Sequence, residues 1–361
     1  MSAISELAAR LSVIELDGLE PAVVESARQR LFDTLAAFVA GAASPEGQAL
    51  HTVLEATPER STLDRIRYAC GATRSTEIDD IYIPACATIG SMVVPAAVLQ
   101  AAERHASDGD LLCALVAGYE AMARLARGIG GALAIYQGIW TTYACAPFAT
   151  AAASARIARL DADQTAHALA IAASRSTGVT GRVAGKRSSR WFAAGCAAAD
   201  GCLAAHAAEH RLYGDLNVME QSFPKAGLAF DGGAFGAGDG WAILEVDTKL
   251  FRTSRQALSA TEAFLRVIDK RSPEDIEEVQ VWVPGQVRAM VDNPAFAFGI
   301  QRQLAMAATN PNGLLSLTGE ARAGFQAPIL VAEDPRLTSI YPGQWGGRVE
   351  VRWKDGSTQM L

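Results

Sequence analysis

Apolar side chains recur at helical spacing through most of the first 240 residues, and this pattern limits the fold more than any other feature. Between residues 22 and 42, for example, Val24, Ala27, Leu31 and Leu35 repeat every three or four positions, which is the period of a helix with one buried face. The same spacing predicts a series of helices at residues 3–15, 22–42, 47–56, 92–105, 111–127, 147–160, 164–174 and 191–210.

The pattern changes near residue 240. Residues 224–241 are rich in glycine and in turn-forming residues, which marks a boundary. Beyond it the sequence predicts alternating strands at 278–283 and 348–353, followed by a turn at Asp355-Gly356. It also predicts two helices, at 256–270 and 298–308. The predicted fold class is therefore mainly α, with a large all-helical domain at residues 1–240 and a smaller α+β domain at residues 241–361.

Composition and charge exclude several classes of protein. The net charge of −7 argues against nucleic acid as a partner, because such proteins usually present a basic face. The sequence contains no run of about 18 apolar residues, so no membrane span is predicted. The N-terminus lacks the pattern of a secretion signal. The six cysteines are scattered without a C-x-x-C pair, so we expect reduced, mostly buried thiols in a cytoplasmic protein.

The strongest candidate for a functional site is the stretch at residues 74–95. Its acidic residues Glu77, Asp79 and Asp80 precede a loop, and Pro95 suits the first turn of an apolar helix that is predicted to begin near that residue. Carboxylates just upstream of a helix N-terminus are expected to form one wall of a polar pocket. The alternative is a solvated acidic loop followed by a helix cap.

This stretch resembles the MmgE/PrpD family, which includes 2-methylcitrate dehydratase, cis-aconitate decarboxylase and iminodisuccinate epimerase. In that family an Asp-x-Asp-Asp segment leads through a His-bearing loop into a Val-x-Pro-Ala-Ala helix, and residues 77–80 and 93–97 are similar to those two ends. Other similar segments follow in the family's order, at 31–36, 118–124, 149–169, 195–205 and 341–356. The resemblance implies a helical domain with an α+β lid, a small-molecule substrate, no cofactor and a homodimer.

The resemblance also shows where this sequence departs from the family's acid–base residues. Positions that carry histidine in the family carry other residues here, namely Arg74, Tyr82, Thr88, Trp140, Ala193 and Leu258. The family lysine falls on Arg190, or on Lys186 if the alignment shifts by four residues. The helical segments with which family members usually end have no counterpart before Leu361.

Dehydration or decarboxylation needs a base, an acid and cations that hold the substrate anion. The candidate proton-transfer residues are Asp79, Asp80, Tyr82 and Lys186, and burial would raise the pKa of either aspartate toward the value that a base needs. The candidate substrate-binding residues are Arg74, Thr88, Trp140, Tyr143, Arg190, Arg252, Arg255 and Leu258. Arg182 and Arg187 add charge to the loop before Arg190. The alternative is that this loop is exposed and basic and does not bind the substrate.

The five histidines lie outside these motifs. His206 and His210 are four residues apart on one predicted helix, a spacing that a metal ion can use. Because no H-E-x-x-H motif accompanies them, we expect no metal site there.

The replacements of histidine have a common direction. Trp140, Tyr82 and Leu258 are larger or more apolar than imidazole, which favours a ligand bulkier and more apolar than a tricarboxylate. The leading hypothesis is a cofactor-independent lyase or an isomerase or cyclase that acts on such a carboxylate. The alternatives are an inactive relative that binds a metabolite or pairs with an active paralogue, and a conventional 2-methylcitrate dehydratase-like hydro-lyase. All three hypotheses place residues 77–95, 138–143 and Arg190 at one cleft between the helical body and the lid.

Overall fold

The structure is a computed structural model that describes residues 2–56, 60–176, 178, 189–294, 296, 298–317, 319, 321 and 324–361. The chain divides into two compact units, Met1–Thr248 and Lys249–Leu361. The predicted fold class is confirmed, since helices dominate and the sheets are small. The assignment of residues 1–240 and 241–361 to two family domains stays a prediction.

The first unit is helical. Its helices α1 to α10 span Ala3–Ser12, Pro21–Ala43, Pro45–Glu55, Thr62–Arg74, Gly90–Arg104, Asp108–Gly128, Thr141–Ile157, Ala162–Ala173, Ser189–Glu209 and Gly232–Gly236. Two short strands, β1 (Ile81–Tyr82) and β2 (Val246–Asp247), pair antiparallel. Helices α6 and α7 are buried along nearly their whole length, so they form the centre of this unit.

Glycine and alanine set the distances between the central helices. A Cβ added at Gly195 of α9 would lie 2.0 Å from the carbonyl oxygen of Arg67 in α4, and one added at Gly201 would lie 2.0 Å from the carbonyl oxygen of Pro147 in α7. No side chain fits at such distances, so α9 packs backbone to backbone against both neighbours. This contact carries Trp191, near the start of α9, toward the end of α4.

Three local predictions were wrong. Helix α4 was not among the predicted helices, and a capping box of Ser61 and Asp64 begins it. Helix α5 begins at Gly90, so Pro95 lies inside the helix rather than in its first turn. Helix α6 begins at Asp108, three residues before the predicted start at residue 111, and Ser107 caps it.

The described residues of the second unit form a four-stranded sheet and four α-helices. Its strands β3 to β6 span Ile276–Val283, Ile329–Glu333, Arg348–Trp353 and Thr358–Met360. Its helices α11 to α14 span Arg255–Ile268, Gly285–Val291, Ile300–Thr309 and Pro335–Ile340. The strand order is β4-β3-β5-β6, with β4 parallel and β5 antiparallel to β3. Both alternating strands and the turn at Asp355-Gly356 are therefore confirmed, whereas β4 was missed.

Two expectations about the class of protein can be compared with the structure. All six cysteines are free thiols, and five of them are buried, as predicted. Within the described residues, no helix has the length and apolar character that crossing a membrane requires.

Replacement of Gly195 by alanine tests the close packing of α9 on α4. We expect Gly195→Ala to lower the free energy of unfolding by about 1–3 kcal/mol, because the new Cβ forces α9 away from the Arg67 carbonyl. Gly236→Ala is the matched control, since a Cβ at that helical position has nothing within 4 Å and should change stability by less than about 1 kcal/mol. Urea unfolding measures both, and equal stability of the two variants would contradict the packing.

Candidate functional site

Arg74, the last residue of α4, is the centre of a buried charged cluster. Its side chain is 6% exposed, and its Nη1 lies 3.0 Å from Glu77 Oε2 and 3.2 Å from Asp79 Oδ1. Its guanidinium also lies 5.4 Å from the ring centre of Trp140 and 5.3 Å from that of Trp191. One side chain therefore joins the acidic turn to the starts of two other helices.

The acidic turn is not a solvated loop. Glu77 is 8% exposed, and Asp79 and Asp80 are each 0% exposed. Glu77 has a φ of 58°, in the left-handed region that few residues with a Cβ adopt. The interpretation of this turn as a solvated loop is therefore wrong. Because burial of carboxylates is costly unless they are paired, these three need partners inside the protein.

Asp80 connects the acidic turn to two further helices. Its Oδ1 accepts a hydrogen bond from the backbone N–H of Gly90 at 2.9 Å, and its Oδ2 accepts one from the Tyr119 hydroxyl at 2.6 Å. Burial raises the pKa of Asp80 to about 6, although both hydrogen bonds act in the opposite direction. The N–H of Gly90 would otherwise be unpaired at the start of α5, which explains why that helix begins there.

A second carboxyl group lies in the same polar region. Burial raises the pKa of Asp33 in α2, opposed by the charge of Arg30, and the charge of Asp79 raises it further. Asp33 Oδ2 and the hydroxyl of the fully buried Thr34 are buried and have no hydrogen-bond partner among the described residues. The candidate residues chosen from the sequence included neither Asp33 nor Tyr119, although both lie in segments that resemble the family.

Aromatic side chains form a wall beside Arg74. Trp140 stacks against Tyr143 with ring centres 6.3 Å apart and meets Trp191 edge to face at 6.1 Å. The guanidinium of Arg190 lies 4.4 Å from the ring centre of Trp140. Arg74 and Arg190 thus both contact the indole of Trp140. Trp191, which was not predicted, completes the wall.

The loop before α5 docks on the first turn of α7. The N–H of Thr88 donates to Thr142 Oγ1 at 3.0 Å, and the two hydroxyl oxygens lie 3.1 Å apart. The hydroxyl of Thr141 donates to the carbonyl oxygen of Ala85 at 2.9 Å. The stretch at 74–90, the turn at 140–143 and the start of α9 therefore come together within the first unit.

The hydroxyl of Tyr82 belongs to a polar group separate from the Arg74 cluster. Arg127 donates a hydrogen bond to its hydroxyl oxygen, and that hydroxyl donates to Glu245 Oε2 at 3.4 Å. Burial raises the pKa of Tyr82, and the charge of Arg127 opposes the shift. The phenol is therefore protonated at neutral pH, and its assignment to proton transfer stays a prediction.

The remaining predicted residues lie elsewhere in the chain. Lys186, Arg182 and Arg187 fall outside the described residues. In the second unit, Arg252 Nη1 donates to the carbonyl oxygen of Leu317 at 2.8 Å, and Arg255 Nη1 donates to Ser259 Oγ at 3.4 Å. Leu258 is buried in the same unit. Their roles in substrate binding stay predictions.

Part of the chain is similar to a known protein family. Residues 68–234 match the family described as the MmgE/PrpD N-terminal domain, and no curated protein matches the chain. The matched segment contains Arg74, the acidic turn, the aromatic wall and Arg190. The chain is therefore similar to this family over the part that holds the candidate site.

The raised pKa of Asp80 predicts a stability effect with a defined sign. Because the folded-state pKa of about 6 exceeds the ordinary 3.8, the folded protein holds the proton more tightly than the unfolded chain. The resulting stabilisation is fully present below pH 3.8 and is lost as the pH rises to about 6. The wild type therefore loses stability between pH 4 and pH 7, whereas Asp80→Asn does not, because asparagine does not titrate. We expect the free energy of unfolding of Asp80→Asn, relative to that of the wild type, to rise by about 2–3 kcal/mol over this range.

Urea unfolding of both proteins at the two pH values measures the effect. Asp355→Asn is the control: hydrogen bonds from Ser357 lower the pKa of Asp355 to about 2, so the folded protein has almost fully ionised this group at pH 4. The unfolded aspartate, with its ordinary pKa of 3.8, is mostly ionised at that pH, so the stability of Asp355→Asn relative to the wild type should change far less between the two pH values than that of Asp80→Asn. A pH-independent difference for Asp80→Asn would refute the assignment.

Proposed function

We propose that this protein, whose membership of the MmgE/PrpD family is supported by residues 68–234, is a lyase or isomerase that acts on a carboxylate-bearing small molecule. Family membership indicates a dehydratase-like or related enzyme. The finer proposal concerns the kind of substrate and the residues that bind it. It also includes a cofactor-independent reaction and a homodimer, as the resemblance implies, and a cytoplasmic location, as the composition suggested.

The observation that carries the proposal is the contact of Arg190 with Trp140. A guanidinium binds a carboxylate through two parallel hydrogen bonds. The guanidinium of Arg190 lies 4.4 Å from the ring centre of Trp140, and the indoles of Trp140 and Trp191 are buried, at 6% and 8% exposure. In our proposal a carboxylate bound by Arg190 therefore has apolar aromatic neighbours, which suit an acid with a bulky apolar part better than a small tricarboxylate.

The charged cluster supplies the remaining chemistry of the proposal. Both oxygens of Asp80 accept hydrogen bonds, so we assign Asp80 and Tyr119 the task of holding the acidic turn in place. Asp79 pairs with Arg74, which in turn contacts the aromatic wall. In this scheme Asp79 is the base, and Arg74 orients its carboxylate. Tyr82 and Lys186 are further proton-transfer candidates.

Two other functions remain in competition with this one. A conventional 2-methylcitrate dehydratase-like hydro-lyase would convert hydroxylated tricarboxylates, and an inactive relative would bind a metabolite without converting it. Incubation of the purified protein with carboxylic acids that differ in charge and in apolar substituents, followed by proton NMR, separates the three. Turnover confined to the apolar acids supports our proposal, whereas preferred turnover of 2-methylcitrate, or binding without turnover, favours one of the others.

A substitution tests the role of Arg190 in binding. We expect Arg190→Ala to weaken binding of the carboxylate that the wild type prefers by about 10–100-fold, because a hydrogen bond to a charged group contributes about 1.5–3 kcal/mol. Arg190→Lys should recover only part of the affinity, since lysine lacks the planar fork. Isothermal titration calorimetry measures both.

Arg175→Ala provides the matched control. Arg175 pairs with Asp200 of α9 at 2.7 Å and is half exposed, so its loss also removes one arginine contact to that helix. Carboxylate affinity should then equal that of the wild type. If Arg190→Ala also binds the acid as tightly as the wild type, Arg190 does not hold the carboxylate.

A further inference from the structure

The C-terminal end of α9 carries a second group of polar side chains that the proposed function does not use. His206, Glu209 and His210 offer ligand atoms that all lie within 4.8 Å of one another. The spacing i, i+3 and i+4 places the three side chains on one side of the helix. Because a helix rises about 1.5 Å per residue, α9 separates them by roughly 22–29 Å from Trp191 and the aromatic wall.

The orientation of His210 is suited to metal binding. Its Nδ1 lies 2.9 Å from the backbone carbonyl oxygen of His206. A carbonyl only accepts hydrogen bonds, so Nδ1 carries the proton and the lone pair is on Nε2. Metal-binding histidines commonly have this arrangement, in which a carbonyl fixes the tautomer and the ring orientation.

Glu209 is held as an ionised carboxylate between a cation and a histidine. Arg104 Nη1 donates to Glu209 Oε1 at 3.0 Å, Arg104 Nη2 donates to Oε2, and His206 Nδ1 lies 3.4 Å from Oε2. A carboxylate has about four lone-pair positions. The two hydrogen bonds from Arg104 therefore leave acceptor positions for a metal ion.

We propose that His206, Glu209 and His210 bind a divalent transition metal ion of the zinc type. Two imidazoles and one carboxylate are a common ligand set for zinc, and water or a small ligand completes the coordination. The side chain of His206 is 59% exposed, so an ion reaches the site from solvent. The expectation that the two histidines bind no metal considered only the order H-E-x-x-H, whereas here the glutamate directly precedes the second histidine.

Imidazole ligands also define which ions bind. They favour zinc, nickel and copper, whereas magnesium and calcium prefer oxygen ligands. We therefore expect the full chain, freed of metal with a chelator, to bind one Zn²⁺ or Ni²⁺ in this region and to show no binding of Mg²⁺ at the same concentrations. Calorimetric titration gives both the affinity and the number of sites.

Substitutions locate the ion. His206→Ala and His210→Ala should each lower the zinc affinity by at least about tenfold, since even loss of a residue that orients a ligand costs about that much. Zinc should also raise the melting temperature of the wild type and not that of either variant, because binding to the folded state stabilises it.

His51→Ala is the matched control. His51 lies 3.5 Å from Glu55 on α3, a pair at i and i+4 without a second histidine, so its loss should leave the zinc affinity unchanged. Absence of zinc binding by the wild type would overturn the proposal. So would an affinity that is unchanged in both His206→Ala and His210→Ala, or one that falls as much in His51→Ala. None of these results bears on the binding of carboxylates at Arg190.

Discussion

The buried ion pairs of Arg74 are the interaction on which the candidate site depends. A guanidinium and two carboxylates are costly to remove from water, and their mutual attraction offsets that cost only when the geometry is well defined. Arg74 meets this condition with contacts of 3.0 and 3.2 Å to Glu77 and Asp79. Because Arg74 is fixed at the end of α4, the acidic turn is fixed with it.

The backbone contact between α4 and α9 determines what else surrounds Arg74. Gly195 allows α9 to approach the Arg67 carbonyl, and four residues earlier Trp191 reaches the guanidinium. A larger residue at position 195 would separate the two helices and withdraw the indole. The composition of the site is thus a consequence of small residues located one turn away from it.

Local patterns in the sequence account for most of the helices and for the two alternating strands. They failed where the decisive contact comes from a distant part of the chain. Helix α5 begins at Gly90 because Asp80 accepts its N–H, and no rule about the position of Pro95 contains that information. Strand β4 has only five residues, and only one of them, Val331, is buried, so its sequence has no clear alternation.

The same limit applies to the site residues. The acidic turn was recognised from its sequence, but its burial depends on distant partners. Tyr119 lies 39 residues after Asp80, and Trp140 lies 66 residues after Arg74. Pairing across helices has no signature in a single sequence. Resemblance to a family was the signal that pointed to both segments, and it identified them as matching segments without showing which side chain meets which.

The charges of the cluster argue for a division of labour between the two arginines that contact Trp140. Arg74 faces two carboxylates at 3.0 and 3.2 Å, so this group as a whole carries negative charge and would repel an anionic ligand. Attraction of a carboxylate to the aromatic wall therefore requires cations beyond Arg74. Arg190 is a second cation beside the same indole, 4.4 Å from the ring centre. The proposed function therefore gives the two arginines different tasks: Arg74 organises the protein's own carboxylates, and Arg190 is assigned to the carboxylate of a substrate.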